Sequence, residues 1–184
     1  MKIIAGTAGR IAIKVPSAVA RPTTGFVRQA IFSMLGDTVE GSRVLDLFCG
    51  SGALGLEALS RGASSCIFVD EHRQAVSVTD ENLKKARLEG GRTVKSEVFA
   101  FLKRDSATYD LILADPPYWK GYGDIDLAAK LLALPELPER LAPGGYLIAE
   151  ISSSQPTPAS PYFRLVDRRE YGSSAILIFA HPEA

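Results

Sequence analysis

The sequence has only two cysteines, Cys49 and Cys66, and only two histidines, His72 and His181, among its 184 residues. Neither pair has the spacing of a metal-ligand set, and such sparing use of cysteine fits a reducing cytoplasm. Both cysteines read as small buried residues rather than nucleophiles. No apolar run approaches the ~18 residues needed to cross a bilayer, which argues against a membrane protein. The opening stretch MKIIAGTAGRIAIKVP lacks the continuous apolar segment of a secretory signal and alternates instead. Acidic residues are missing altogether from positions 1–36, which carry Lys2, Arg10, Lys14, Arg21 and Arg28. The whole chain holds 21 residues of each sign, so this segment is +5 and the remainder −5. A basic head on a mildly acidic body suits local contact with phosphates.

What is present is an alternation of strand-like and helix-like segments. KIIAG and RIAIKV, separated by Gly6 to Gly9, predict a small hairpin. RPTTGFVRQAIFSML predicts a helix capped by Thr23 or Thr24, with Phe26, Val27, Ala30, Ile31, Met34 and Leu35 on one face. Strands are then expected at RVLDLF, SCIFVD, TVKS, DLILAD and GGYLIAEIS. Helices are expected at GALGLEALSRG, RQAVSVTDENLKKARLEG, VFAFLKR, DIDLAAKLLAL and LPERLA. SSSQPTPASP reads as a loop, and FRLVDRREYG with SAILIFA as a closing antiparallel pair. Such an order implies one α/β unit with a mainly parallel sheet covered on both faces.

Gly50, Gly52 and Gly55 spell G-x-G-x-x-G between a strand and a helix, and Asp70 closes the next strand 20 positions after Gly50. This pattern fits a dinucleotide, but it fits S-adenosylmethionine as well. Asp46 tilts the balance. A carboxylate at that strand end repels pyrophosphate but suits a methionine ammonium. Asp70 can accept from ribose hydroxyls, and Glu97, with Val98 beside it after the third strand, is placed to meet adenine. The bland alternatives are a helix cap at Asp46 and a turn residue at Asp70.

A second motif follows an apolar strand: Asp115-Pro116-Pro117-Tyr118. The prolines stiffen the turn and fix the direction of two acceptors, the Asp115 carboxylate and the Pro116 carbonyl. An exocyclic base amine is a poor nucleophile because its lone pair is delocalised into the ring. Two acceptors on its two hydrogens would orient it and stabilise the charge that grows as it attacks a sulfonium methyl. Tyr118 can stack on the base. Trp119 and Tyr122 are expected either to line that pocket or to cover loop backbone. Without chemistry, the same string is a rigid strand-to-loop turn.

Taken together, RPTTGFVRQAIFSML, LDLFCGSGALGLEALSRGA, DPPY and YGSSAILIF resemble, in this order, the RsmD-type family of bacterial 16S rRNA (guanine-N2)-methyltransferases. The resemblance implies a Rossmann-like seven-stranded methyltransferase fold, with residues 1–36 as an RNA-contacting extension and 37–184 as the catalytic domain. It implies cofactor binding by Asp46, Phe48, Gly50, Ser51 and Gly52, ribose contact by Asp70, and catalysis by Asp115 through Tyr118. It also implies RNA contacts by Arg10, Arg21 and Arg28. The substrate would be 16S rRNA in an assembling or assembled small subunit, and the enzyme is expected to be a monomer. The chain departs from the family pattern at Gly25, Phe26, Gln29, Ser33, Asp70 and His72. Rival readings are an adenine-N6 methyltransferase on DNA or RNA, an NAD-dependent oxidoreductase, and a non-enzymatic RNA-binding module.

Overall fold

The computed structural model describes residues 1–17 and 24–181. Seven strands form a single sheet: β1 (Arg43–Leu47), β2 (Ser65–Asp70), β3 (Gly91–Lys95), β4 (Tyr109–Ala114), β5 (Leu141–Ser152), β6 (Arg164–Tyr171) and β7 (Ser174–Ala180). Their spatial order is β3-β2-β1-β4-β5-β7-β6. The first five run parallel, and β7 inserts antiparallel between β5 and β6. Its parallel run is what the strand–helix alternation implies, and the whole is the Rossmann-like seven-stranded arrangement that the family resemblance implies. The helices are α1 (Gly25–Leu35), α2 (Ala53–Ser60), α3 (Arg73–Ala86), α4 (Val98–Arg104) and α5 (Leu127–Leu132).

Strand alternation divides the core between the two sheet faces. Val44, Phe68, Leu113, Ile148 and Ile176 pack with α1, α2 and α3 on one face. Leu45, Val69, Ile112, Leu147 and Leu177 pack with α4 and α5 on the other. The chain winds outward from β1 through β2 to β3, then returns to lay β4 against the opposite side of β1. The carboxyl ends of β1 and β4 therefore flank a topological switch point, where open α/β sheets bind ligands.

One local expectation is met in short form and two are corrected. The N-terminal hairpin is present as a short pairing: Lys2 and Ala12 form an antiparallel bridge, flanked by Ile3 N donating to Ile11 O, Arg10 N to Ile3 O and Ile13 N to Met1 O. Donors the hairpin does not use turn to α2: Ile4 N and Ala5 N donate to the Glu57 carboxylate, and Ala8 N to Ser60 Oγ. The helix sought over DIDLAAKLLAL shrinks to the six residues of α5, because Asp126 caps it by accepting from Ala129 N. LPERLA supplies only one 3-10 turn, Pro138–Arg140. Thr24 caps α1, its Oγ1 accepting from Val27 N at 3.3 Å. Ile3, Ala8 and Ile13 share the core cluster of α1 and α2, so the N-terminal segment packs onto the sheet domain. Among the described residues no helix is long and apolar enough to cross a membrane, and no group of three His, Cys, Asp or Glu could hold a metal ion.

Candidate active site

The glycine turn joins β1 to α2 through three left-handed residues: Phe48 (φ 58°), Gly50 (φ 54°) and Gly52 (φ 74°). Phe48 is the one that is not glycine, an unusual conformation for a bulky side chain. Its ring packs edge-on against Phe99 of α4. Gly52 sits at the N-cap of α2 and offers the helix no side chain. Asp46 supplies the missing acceptor: its Oδ2 takes the Gly55 N–H at 2.9 Å. Gly55 serves close packing, since a Cβ there would lie 2.3 Å from the Phe68 ring. Asp70 Oδ2 accepts from Gly50 N at 2.9 Å, and Oδ1 accepts from His72 N. Both acids thus order the turn while also facing the cavity beside it.

Two buried residues of α3 complete the support. Thr79 Oγ1 donates to Gly50 O, and Asn82 Nδ2 donates to Ser51 O and Lys14 O. The sequence shows α3 only as amphipathic. A polar Thr and Asn on its buried face, three positions apart, are the signal that marks them.

At the end of β4, Asp115 N donates to Leu47 O at 3.4 Å, tying the proline corner to the glycine-turn strand. Pro116 is buried and Pro117 exposed. The Tyr118 hydroxyl lies 2.8 Å from both Glu150 Oε1 and Ser174 Oγ, and Ser174 Oγ donates to Glu150 Oε1 at 2.8 Å. The ring is thereby fixed at its far end to β5 and β7. Burial, together with the neighbouring Glu150 and Asp115 charges, pushes the Tyr118 phenol well up, so it stays protonated and can donate. The sequence reading missed Glu150 and Ser174. A lone acid inside the apolar run YLIAEIS was the available signal.

One cleft of about 610 Å³ opens between these corners. It is within the range of small-molecule and cofactor sites. Asp46, Phe48, Gly50, Ser51, Asp70, Glu97, Val98, Asp115, Pro116, Pro117 and Tyr118 all line it, whereas Gly52 is buried and is not among the lining residues. Glu97 caps α4, its two oxygens accepting from Phe99 N and Ala100 N, so its carboxylate already holds that helix end. Trp119 covers loop backbone by donating to Asp124 O, and Tyr122 projects into solvent. Burial pushes the Cys49 thiol up, as do Asp46 and Asp70, so Cys49 is a protonated packing residue.

The basic residues of the N-terminal segment separate. Arg10 is exposed. Arg21 lies outside the described residues. Arg28 is corrected: it is 1% exposed and donates to Lys2 O at 2.8 Å, so its guanidinium is inside the fold and not on a surface that RNA can touch. Lys14 forms an ion pair with Glu81.

The cleft is lined by six acids, Asp46, Asp70, Glu71, Glu97, Asp115 and Glu150, against Lys120 and Lys130. Lys130 Nζ sits 3.9 Å from the Phe99 ring centroid, a cation–π contact. Burial raises the Asp46 carboxyl well above the usual range, and the nearby Asp115 and Asp70 charges add to this. Such a site disfavours a pyrophosphate and favours a ligand carrying positive charge.

The chain matches the family model described as conserved hypothetical protein 95 over residues 1–180. It belongs to this RsmD-type family. YlbH of Bacillus subtilis (strain 168), named as a candidate rRNA methyltransferase, is 35% identical over 97% of this chain and 98% of its own length. Ribosomal RNA small subunit methyltransferase D of Escherichia coli (strain K12) is 36% identical over 55% of this chain, a match that spans 51% of that protein. The solved structure of yhhF from Escherichia coli, described as a candidate methyltransferase, superposes with a TM-score of 0.84. It is 27% identical, and the match covers 100% of this chain and 99% of that one. The RsmD-type chain thus shares its architecture with yhhF along its full length.

Proposed function

We propose that this RsmD-type protein transfers a methyl group from S-adenosylmethionine to the exocyclic N2 amine of a guanine in 16S ribosomal RNA. The observation that carries the reading is the single acid-lined cleft shared by the glycine turn and the Asp115–Tyr118 corner. An NAD-dependent oxidoreductase accounts for the glycines and Asp70 but needs a pyrophosphate beside α2, where the Asp46 carboxylate stands. A methionine ammonium and a sulfonium suit the same acids. The names of the relatives, which concern rRNA, support the choice of substrate.

The residues present fit S-adenosylmethionine. Asp46 would hold the ammonium, the Gly50–Gly52 turn the carboxylate, Asp70 the ribose hydroxyls, and Glu97 with Val98 the adenine. When bound, the cofactor supplies an electrophilic methyl group. Everything else falls to the chain. The Asp115 carboxylate and the Pro116 carbonyl accept the two amine hydrogens and aim the nitrogen. The wall of Tyr118, pinned through its hydroxyl, limits the tilt of the base. After transfer the proton leaves to Asp115 or to water. Reaching the amine requires an unpaired or flipped nucleotide. The enzyme works in the cytoplasm as a monomer, on an assembling or assembled small subunit, with Arg10 and Arg21 contributing to the RNA surface.

Mass-spectrometric mapping of 16S rRNA from cells with and without the gene tests this. The expected result is one N2-methylguanine present only with the protein, and lost on Asp115→Asn through a fall in kcat of ~100-fold or more. A protein-dependent methyl on adenine N6 would redirect the substrate. An unchanged rate in D115N would remove Asp115 from the chemistry.

A further inference from the structure

The Glu150 side chain is 4% exposed, yet it lines the cleft. Its Oε1 is engaged by Tyr118 and Ser174, both at 2.8 Å. Its Oε2 is buried and has no hydrogen-bond partner among the described residues. A buried carboxylate oxygen without a donor is unfavourable, and a donor brought by a ligand removes that penalty. The position is informative. Ala114 and Ala149 are register partners on the parallel strands β4 and β5. Asp115 and Glu150 are the next residue on each, Asp115 just past the end of β4 and Glu150 still within β5, so their backbones are neighbours one strand spacing of ~4.8 Å apart.

We propose that Glu150 is the base-reading residue of this site, accepting the N1–H of guanine through its orphan oxygen while Asp115 and the Pro116 carbonyl hold the neighbouring N2 amine. This rests on the guanine reading given above and supplies its chemical reason. Guanine places N1–H and N2–H₂ next to each other on one edge, donors that meet adjacent acceptors. Adenine and cytosine each place a ring acceptor beside their exocyclic amine. Against Glu150 that pairing sets lone pair against lone pair in a buried site, and it is rejected. The hydrogen bonds from Tyr118 and Ser174 occupy Oε1, which leaves Oε2 as the oxygen without a donor.

The test uses reconstituted small-subunit particles in which the mapped target guanine is replaced by 2,6-diaminopurine. That base keeps the N2 amine but has an acceptor at N1. The wild-type protein should lose ~100-fold or more in kcat/KM on the replacement. Glu150→Gln should lose ~100-fold on guanine and bring the two substrates to within ~10-fold of each other, because its amide can donate to N1 of diaminopurine. The wild-type comparison needs no variant to fold. Equal wild-type rates on the two bases would overturn the proposal. So would an equal loss on both in E150Q, which would make Glu150 only a prop for Tyr118. An E150Q protein whose calorimetric affinity for S-adenosylhomocysteine falls more than ~10-fold would place the carboxylate on the cofactor side and overturn it too. Absence of any guanine methylation by wild-type protein on unmodified particles is a different failure, that of the parent reading.

Discussion

At Asp46 one side chain has two tasks. It accepts the Gly55 N–H that starts α2, and it faces a cleft holding five other acids. Burial lifts its pKa, the Gly55 hydrogen bond opposes the lift, and the Asp115 and Asp70 charges reinforce it. A carboxyl whose native pKa lies above its unfolded value penalises the ionised fold. The penalty is full above the native pKa and vanishes as pH falls toward the ordinary carboxylate range. Ligand-free wild-type protein should therefore gain stability relative to Asp46→Asn as pH falls through that window, measured as the difference between their urea midpoints. A cationic ligand has the opposite preference, because it binds the ionised form. S-adenosylmethionine affinity of the wild type should fall across the same window, and D46N should bind ~10-fold or more weakly at neutral pH with a flatter pH profile. Parallel pH profiles for the two proteins would show that Asp46 is only the cap of α2. Asp46 was legible because both of its readings, cap and ammonium partner, follow from its place at a strand end before a glycine turn. Glu150 was not, because its partners Tyr118 and Ser174 lie 32 and 24 positions away and no local pattern joins them.

Elements with their own internal signals were the easiest to anticipate. Five of the seven sheet strands follow from apolar runs of strand length, β3 from the short segment TVKS and β6 from its pairing with SAILIFA, and α4 is bounded by the Glu97 cap and the basic Lys103 and Arg104 of its last turn. The N-terminal hairpin keeps its cross-strand pairing, but what anchors it lies outside its own sequence: α2 takes the backbone donors near its turn. Glu57 is fully buried and accepts from Ile4 N, Ala5 N and Arg61 Nε. Its charge also favours the protonated form of Arg28, which burial opposes. One acid on α2 thus anchors a segment more than fifty residues earlier and balances a buried guanidinium. Glu57→Ala should lower stability by ~3–5 kcal/mol, the scale for breaking a buried ion pair from one side. Glu57→Gln keeps an acceptor and should lose less. Urea titration checks both, and hydrogen exchange should locate the added opening in residues 1–13. A loss below ~1 kcal/mol in E57A would mean that apolar packing of Ile3, Ala8 and Ile13 alone holds the segment.

Across the whole molecule, neutrality hides a division of labour between an acid-lined cleft and a basic N-terminal segment. The structure makes that segment less available than a count of its charges suggests, since Lys14 faces Glu81 and Arg28 is inside the fold. The two arginines at positions 10 and 28 therefore separate what charge does for binding from what it does for folding. Arg10→Glu should weaken binding to small-subunit particles and reduce the slope of log affinity against log salt by about one, the amount for a lost phosphate contact. Its stability should stay within ~0.5 kcal/mol of wild type, as for an exposed substitution. Arg28→Ala should do the reverse. It strips Lys2 O of its donor and leaves Glu57 with Arg61 as its one remaining cation among the described residues, lowering stability by ~3 kcal/mol, while the salt slope of the fraction that stays folded is unchanged. Unfolding curves and binding isotherms at several salt concentrations decide both halves. If Arg10→Glu binds normally at every salt concentration, the RNA must approach from another face, and the acidic cleft would have to be reached without help from the basic head.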